Sequence, residues 1–484
     1  MKLSTAQLMD RLTLGPAPGL ADTIEHPGAD RWLEAQLSPQ ADPVAVSDRL
    51  DGLDAISLDP VQLFQRYWIP FKKRKDSAER KQYRKQLREL YFQTAGARLW
   101  RGYESPWQLR ELLVDFWFNH FNVFFRKGLC ALWTGNYEQE AIRPHVLGKF
   151  SDMLLATARH PAMLFYLDNW MNVTPNSPWI HGRLKGYNEN YAREVMELHT
   201  IGLHYHQADV YGATHLLTGW GLDRHSESGF RFRPRLHDSA AQTILGRRFE
   251  GGEDAIEDFF RFLATRPDTA QHVSRELAQY FVADRPPEKL VAHMQARFLA
   301  TEGDLKAVTE AMIEHPAFAA AASRRDKFRT PYRYVLALLR ASGVPPDNVQ
   351  PIVGALRRLG QPLYGCATPN GWANTQAEWL SPDALTTRLD LAVALGGGWM
   401  RVVQENETDM PGTMSAMSAA MPGAMADENS NPIHRDQTRH AVDVETLIGA
   451  LELVLPPSTL AAARSAPKRL RAAVLLGSPQ MQYC

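Results

Sequence analysis

Apolar residues return at helical spacing in segment after segment of this 484-residue chain, and prolines punctuate the segments. Residues 107–121 set the pattern, with Leu109, Leu112, Leu113, Phe116, Trp117 and Phe121 at that spacing. Comparable runs cover residues 142–158, 255–263, 269–281, 332–341 and 382–394. Pro144, Pro161, Pro267 and Pro331 start or stop several of them. Strand signal is thin: Phe230-Arg231-Phe232-Arg233 alternates, and residues 243–249 are expected to pair with it across a turn at His237-Asp238. The chain therefore reads as mainly α, a large multi-helix single domain with a small β-hairpin near residues 230–249. A helical core is expected over residues 1–404 and a loop or linker rich in Met, Pro, Gly and Ser over 405–437. Closing helices over 438–484 are expected to pack back on the core.

Charge excludes some partners. Lys+Arg 54 balances Asp+Glu 54, so no global field recruits nucleic acid or an anionic membrane. One basic run, Lys72-Lys73-Arg74-Lys75 followed by Arg80, Lys81, Arg84, Lys85 and Arg88, carries interspersed acids and reads as a solvated helical face. Cys130, Cys366 and Cys484 are far apart, which argues against a disulfide framework or a cysteine zinc site. No apolar run reaches about 18 residues, the length of a membrane span. The start of the chain has no signal-type segment, so the cytoplasm is the expected address.

The chemistry is concentrated in residues 188–199, Asn-Glu-Asn-Tyr-Ala-Arg-Glu-Val-Met-Glu-Leu-His. Glu194 and Glu197 share a helical face, where two carboxylates repel unless a cation, an arginine or a proton intervenes. Glu197 and His199 stand about 200° apart on a helix, so the three side chains cannot form one ligand face. The helix is expected to end near Gly202, with His199 in its last turn as a cation complementing the macrodipole. The glutamates need partners from elsewhere. The best are His120, in Asn119-His120, and the pair His237-Asp238, which has no evident structural use. Asp168-Asn169 reads as a cap or turn, Asp209 as a helix N-cap and Gly219 as a helix stop. Convergence of His120, Glu194 and Glu197 with His237 or Asp238 would suit Zn, Mn or Fe, and a carboxylate-rich version would suit Mg or Ca. Arg193 would then orient a carboxylate or bind an anionic substrate, with His199 as an outer or acid/base group. Met410, Met414, Met417, Met421 and Met425 add a copper-handling reading, since thioethers favour Cu(I).

These clusters also carry a resemblance. The ordered motifs Arg11-Leu12-Thr13-Leu14-Gly15-Pro16, Phe116-Trp117-Phe118-Asn119-His120-Phe121, His160-Pro161-Ala162-Met163, Leu167-Asp168-Asn169 and residues 188–199 resemble the bacterial domain-of-unknown-function 1800 family. Asp209-Val210, Leu217-Thr218-Gly219-Trp220, His237-Asp238 and Leu359-Gly360-Gln361-Pro362 extend the likeness nearly end to end. The resemblance implies no reaction. It does imply a partner, a sulfatase-like protein of the alkaline-phosphatase type (domain of unknown function 1501), whose twin-arginine signals leave export alongside it open. His215 departs from the family pattern, standing where an arginine is typical. Two readings lead from here: a metal-dependent enzyme, hydrolytic rather than redox, and a non-enzymatic assembly or maturation partner of a sulfatase-like protein.

Overall fold

The computed structural model describes residues 3–72, 76–175, 177–180, 182, 184–403 and 442–484. The methionine-rich segment, with its copper reading, and Lys73, Arg74 and Lys75 lie outside these residues. The architecture is mainly α, as expected, with two two-stranded antiparallel sheets among the described residues. The strand pairing differs from expectation. Phe230–Phe232 (β2) pairs backwards with Trp220–Leu222 (β1), and Gln242–Ile244 (β3) pairs with Arg247–Phe249 (β4). Gly246, at φ 78°, makes the β3–β4 turn tight enough for residues 242–249 to close on themselves.

Helix Pro331–Ser342 is central, and all 12 of its residues are buried. Thr330 caps it by accepting from the Arg333 amide, Pro331 fills the first position, and Gly343 stops it at φ 67°. A helix buried all round must neutralise its polar groups internally. Arg340 does so by donating to the carbonyls of Gly15 and Tyr103. Distant parts of the chain close around this helix. Helix Thr5–Leu12 sends Arg11 to the carbonyls of Phe281, Val282 and Ala321, and Asp10 to Arg329 at 3.0 Å. Phe328 pairs with Tyr483 as an antiparallel bridge. One cluster of buried apolar side chains extends from Leu8 to Met481. No helix among the described residues is long and apolar enough to cross a membrane.

Helix Gln108–His120 runs through the core with 11 of its 13 residues buried. Near its start it feeds a buried charge network. Arg98 reaches Asp115 at 2.5 Å and Glu138 at 3.0 Å, and Arg143 reaches Glu111 at 2.7 Å and Glu138 at 3.4 Å. Arg101 and Arg110 add contacts to Asp42, and Arg110 to Glu111. Four arginines thus meet four carboxylates, and the Tyr280 and Tyr364 hydroxyls donate to Asp115 and Glu138. Glu138 sits on a π turn, Glu138–Ile142.

Candidate metal centre

His120 is the last residue of its helix, about 140° around the axis from Asp115, so it faces a different part of the core. Trp117 and Phe121 pack edge-on against its ring at 5.2 and 4.5 Å. Its two nitrogens both face oxygen: Nδ1 lies 2.6 Å from Glu276 Oε2, and Nε2 lies 3.2 Å from the His199 carbonyl. Glu276 comes from helix Pro267–Phe281, one turn after His272, so both sit on one helical face. His272 Nε2 is 3.5 Å from Glu276 Oε1 and 3.1 Å from the Leu198 carbonyl. Ligand atoms of His120, His272 and Glu276 all lie within 4.8 Å of one another.

Exposure is graded across this group. The His120 side chain keeps 2% of its surface, whereas His272 and Glu276 keep 26% and 37%. Solvent therefore reaches the carboxylate side and not the His120 side. Burial pushes the Glu276 carboxyl up, but His120 and then His272 outweigh it and hold it below the ordinary value. His199 lies beside them, its ring centre 6.1 Å from that of His120. Burial, then the neighbouring His120 and His272, drives the His199 imidazole well below its ordinary value. Its Nε2 is buried without a hydrogen-bond partner.

The other sequence-predicted residues go elsewhere, and of the five predicted ligands only His120 joins this group. Helix Asn190–Glu197 ends before His199, which is buried and neutral, so it does not serve the macrodipole as a cation. Glu197 accepts from the Tyr205 hydroxyl at 2.5 Å, and Arg193 donates to Gln207 and pairs with Glu189. Burial, then Glu197, raises the Glu194 carboxyl, with Arg193 opposing, so the anticipated repulsion is present. The pair His237-Asp238 does have a structural use. His237 Nδ1 donates to the Thr218 carbonyl and Nε2 accepts from the Gly252 amide. Asp238 accepts from the Tyr187 hydroxyl and the Ala240 amide and pairs with His215 at 2.9 Å. His215 thus supplies Asp238 with a nitrogen partner. Asp209 stands three residues inside the cap position, which His206 takes, and accepts from the His206 amide.

Sequence reasoning missed His272 and Glu276. Their signal was present: an imidazole and a carboxylate one turn apart in residues 269–281, already read as an amphipathic helix. Two imidazoles and one carboxylate form a donor set that borderline divalent ions accept, and the His199 carbonyl holds the far nitrogen of His120 as outer groups hold ligating imidazoles. In the comparisons with known proteins, the family described as "Protein of unknown function (DUF1800)" matches residues 7–483. No curated protein and no solved structure matches the chain significantly.

Proposed function

The chain belongs to this family of unknown function 1800, and from that premise we propose that it is a metal-dependent enzyme, hydrolytic rather than redox, with His120, His272 and Glu276 as ligands. The gathering of these three groups within 4.8 Å, open to solvent on one side, carries the reading. Zinc, if held by these two imidazoles and the carboxylate, would supply Lewis-acid activation of hydrolysis. Non-haem iron accepts the same donors, so the test must also identify the ion.

The chain's own residues supply the rest. The aromatic wall of Phe116, Trp117, Phe121 and Phe150 excludes water behind His120. The His199 carbonyl fixes the ring's orientation, and His199 itself presents a neutral imidazole. The exposed edges of His272 and Glu276 form the side from which substrate would approach. Glu194, Glu197 and Arg193 lie outside the ligand set.

Elemental analysis of the purified full-length chain after equilibration with zinc, manganese and iron salts is the test. One equivalent of a metal retained by the parent protein, and by His237→Ala, but lost in His272→Ala and Glu276→Gln, is the expected result. Metal content unchanged in His272→Ala would overturn the assignment. A second reading has one observation in its favour. The 2.6 Å contact between His120 and Glu276 already gives each group a partner, which suits a non-enzymatic assembly partner of a sulfatase-like protein. In that case the parent binds no metal, and the same variants lose stability alone.

A further inference from the structure

A cleft of about 430 Å³ opens between helix Pro60–Tyr67, helix Cys130–Tyr137 and the β1–β2 hairpin. That volume falls in the range of small-molecule sites. Its walls are aromatic. Phe64 lies near-parallel to Trp133 at 6.5 Å, and Phe165 is stacked on Trp170 at 5.7 Å and 8°. Trp133 meets Phe165 edge-on at 6.2 Å and joins the two stacks. Phe64, Phe165 and Trp170 are partly buried, and all three line the cleft.

The rim is cationic. Lys72, Arg224 and Arg233 line it against one acid, Asp223. Asp223 is engaged by its own turn, accepting from the Arg224 and His225 amides. Lys72 and Arg224 form no ion pair among the described residues. Arg233 donates to the carbonyls of Trp170 and Gly219, which locks the hairpin to the aromatic wall.

The wall is also preformed. Gly229 at the hairpin tip, with φ 67°, sits so close that a Cβ there would approach Pro161 Cγ to 2.7 Å and Pro60 Cβ to 3.0 Å. Arg159 lies over both Trp220 and Phe230 at 5.6 Å and so clamps the hairpin from the other side. A rigid cleft avoids the ordering cost of binding.

We propose that this cleft binds a planar aromatic anion, an aromatic carboxylate or its equivalent, with the ring against the joined Phe64–Trp133 and Phe165–Trp170 wall and the charge at Arg224 and Lys72. Ring stacking supplies affinity and the unspent cations supply selectivity for the anion. The site shares no residue with the metal centre and does not depend on it.

Titration of the full-length chain with 2-naphthoate, followed by tryptophan fluorescence and calorimetry, tests the proposal. Saturable one-to-one binding that weakens with added salt is expected. Arg224→Glu should weaken it about fivefold or more with circular dichroism unchanged, because Arg224 is exposed and its loss leaves the fold intact. Phe165→Leu should weaken it without changing the salt dependence. No saturable binding, equal affinity for neutral 2-naphthylmethanol, or preference for a neutral oligosaccharide would each overturn the assignment.

Discussion

One helix, Gln108–His120, serves two polar clusters that differ in kind. Toward its start, Glu111 and Asp115 join a buried network in which four arginines meet four carboxylates. At its end, His120 joins two further imidazoles with one carboxylate among them, and that carboxylate is 37% exposed. The first cluster is charge-matched and sealed by tyrosine hydroxyls. The second has more nitrogen donors than acidic partners, and one of them, His199 Nε2, has no hydrogen-bond partner. Matched buried charge fixes how helices pack, because any partner left behind is strongly penalised. An excess of nitrogen donors around a solvent-reachable carboxylate is what a cation requires.

The largest effect should come from the matched cluster. Arg98→Met strands Asp115 and leaves Glu138 with Arg143 as its remaining cation, and should cost about 3–5 kcal/mol in a urea melt; a loss below about 1 kcal/mol would erase the contrast. His272→Ala comes next and should weaken metal binding at least about 100-fold. Its stability cost without metal should stay near 1 kcal/mol, because the side chain is partly exposed. The third prediction concerns pH. Burial holds His160 at about 3, and its ring is satisfied by Asn136 and the Ala162 amide. As pH falls below about 6.5 the unfolded chain takes up a proton that folded His160 refuses. Stability should therefore fall by up to about 1.4 kcal/mol per pH unit from this residue, and His160→Gln should flatten that slope. The smallest effect belongs to Glu194→Gln, expected within about 0.5 kcal/mol and without effect on metal content. Loss of metal in that variant would return Glu194 to the centre.

The helices were legible because apolar spacing is a local property, and the Pro331 and Pro267 starts fell where the prolines said. His120 was legible as a histidine among aromatics. Its partners were not, because helix 267–281 meets helix 108–120 across 156 residues of sequence. Nothing local announces that meeting, although the one-turn spacing of His272 and Glu276 marked the second helix as able to contribute. The pair His237-Asp238 misled for the opposite reason. Its partners, Thr218, Gly252, Tyr187 and His215, are ordinary neighbours that only the folded hairpins assemble. The strand error was similar, since the turn at Gly246 lets β3 pair with β4 and leaves β2 to pair with β1.

The Asp10–Arg329 pair sets a schedule for the nascent chain. Its members are separated by 319 residues, which at ordinary translation rates is a delay on the order of tens of seconds. Arg11 waits nearly as long for the Ala321 carbonyl. Helix Thr5–Leu12 therefore leaves the ribosome early with an apolar face and two charges destined for burial, and none of their partners yet made. Its face must be sheltered in the interval, by transient local packing or by a holding chaperone, because these late partners lie 310 and 319 residues further along.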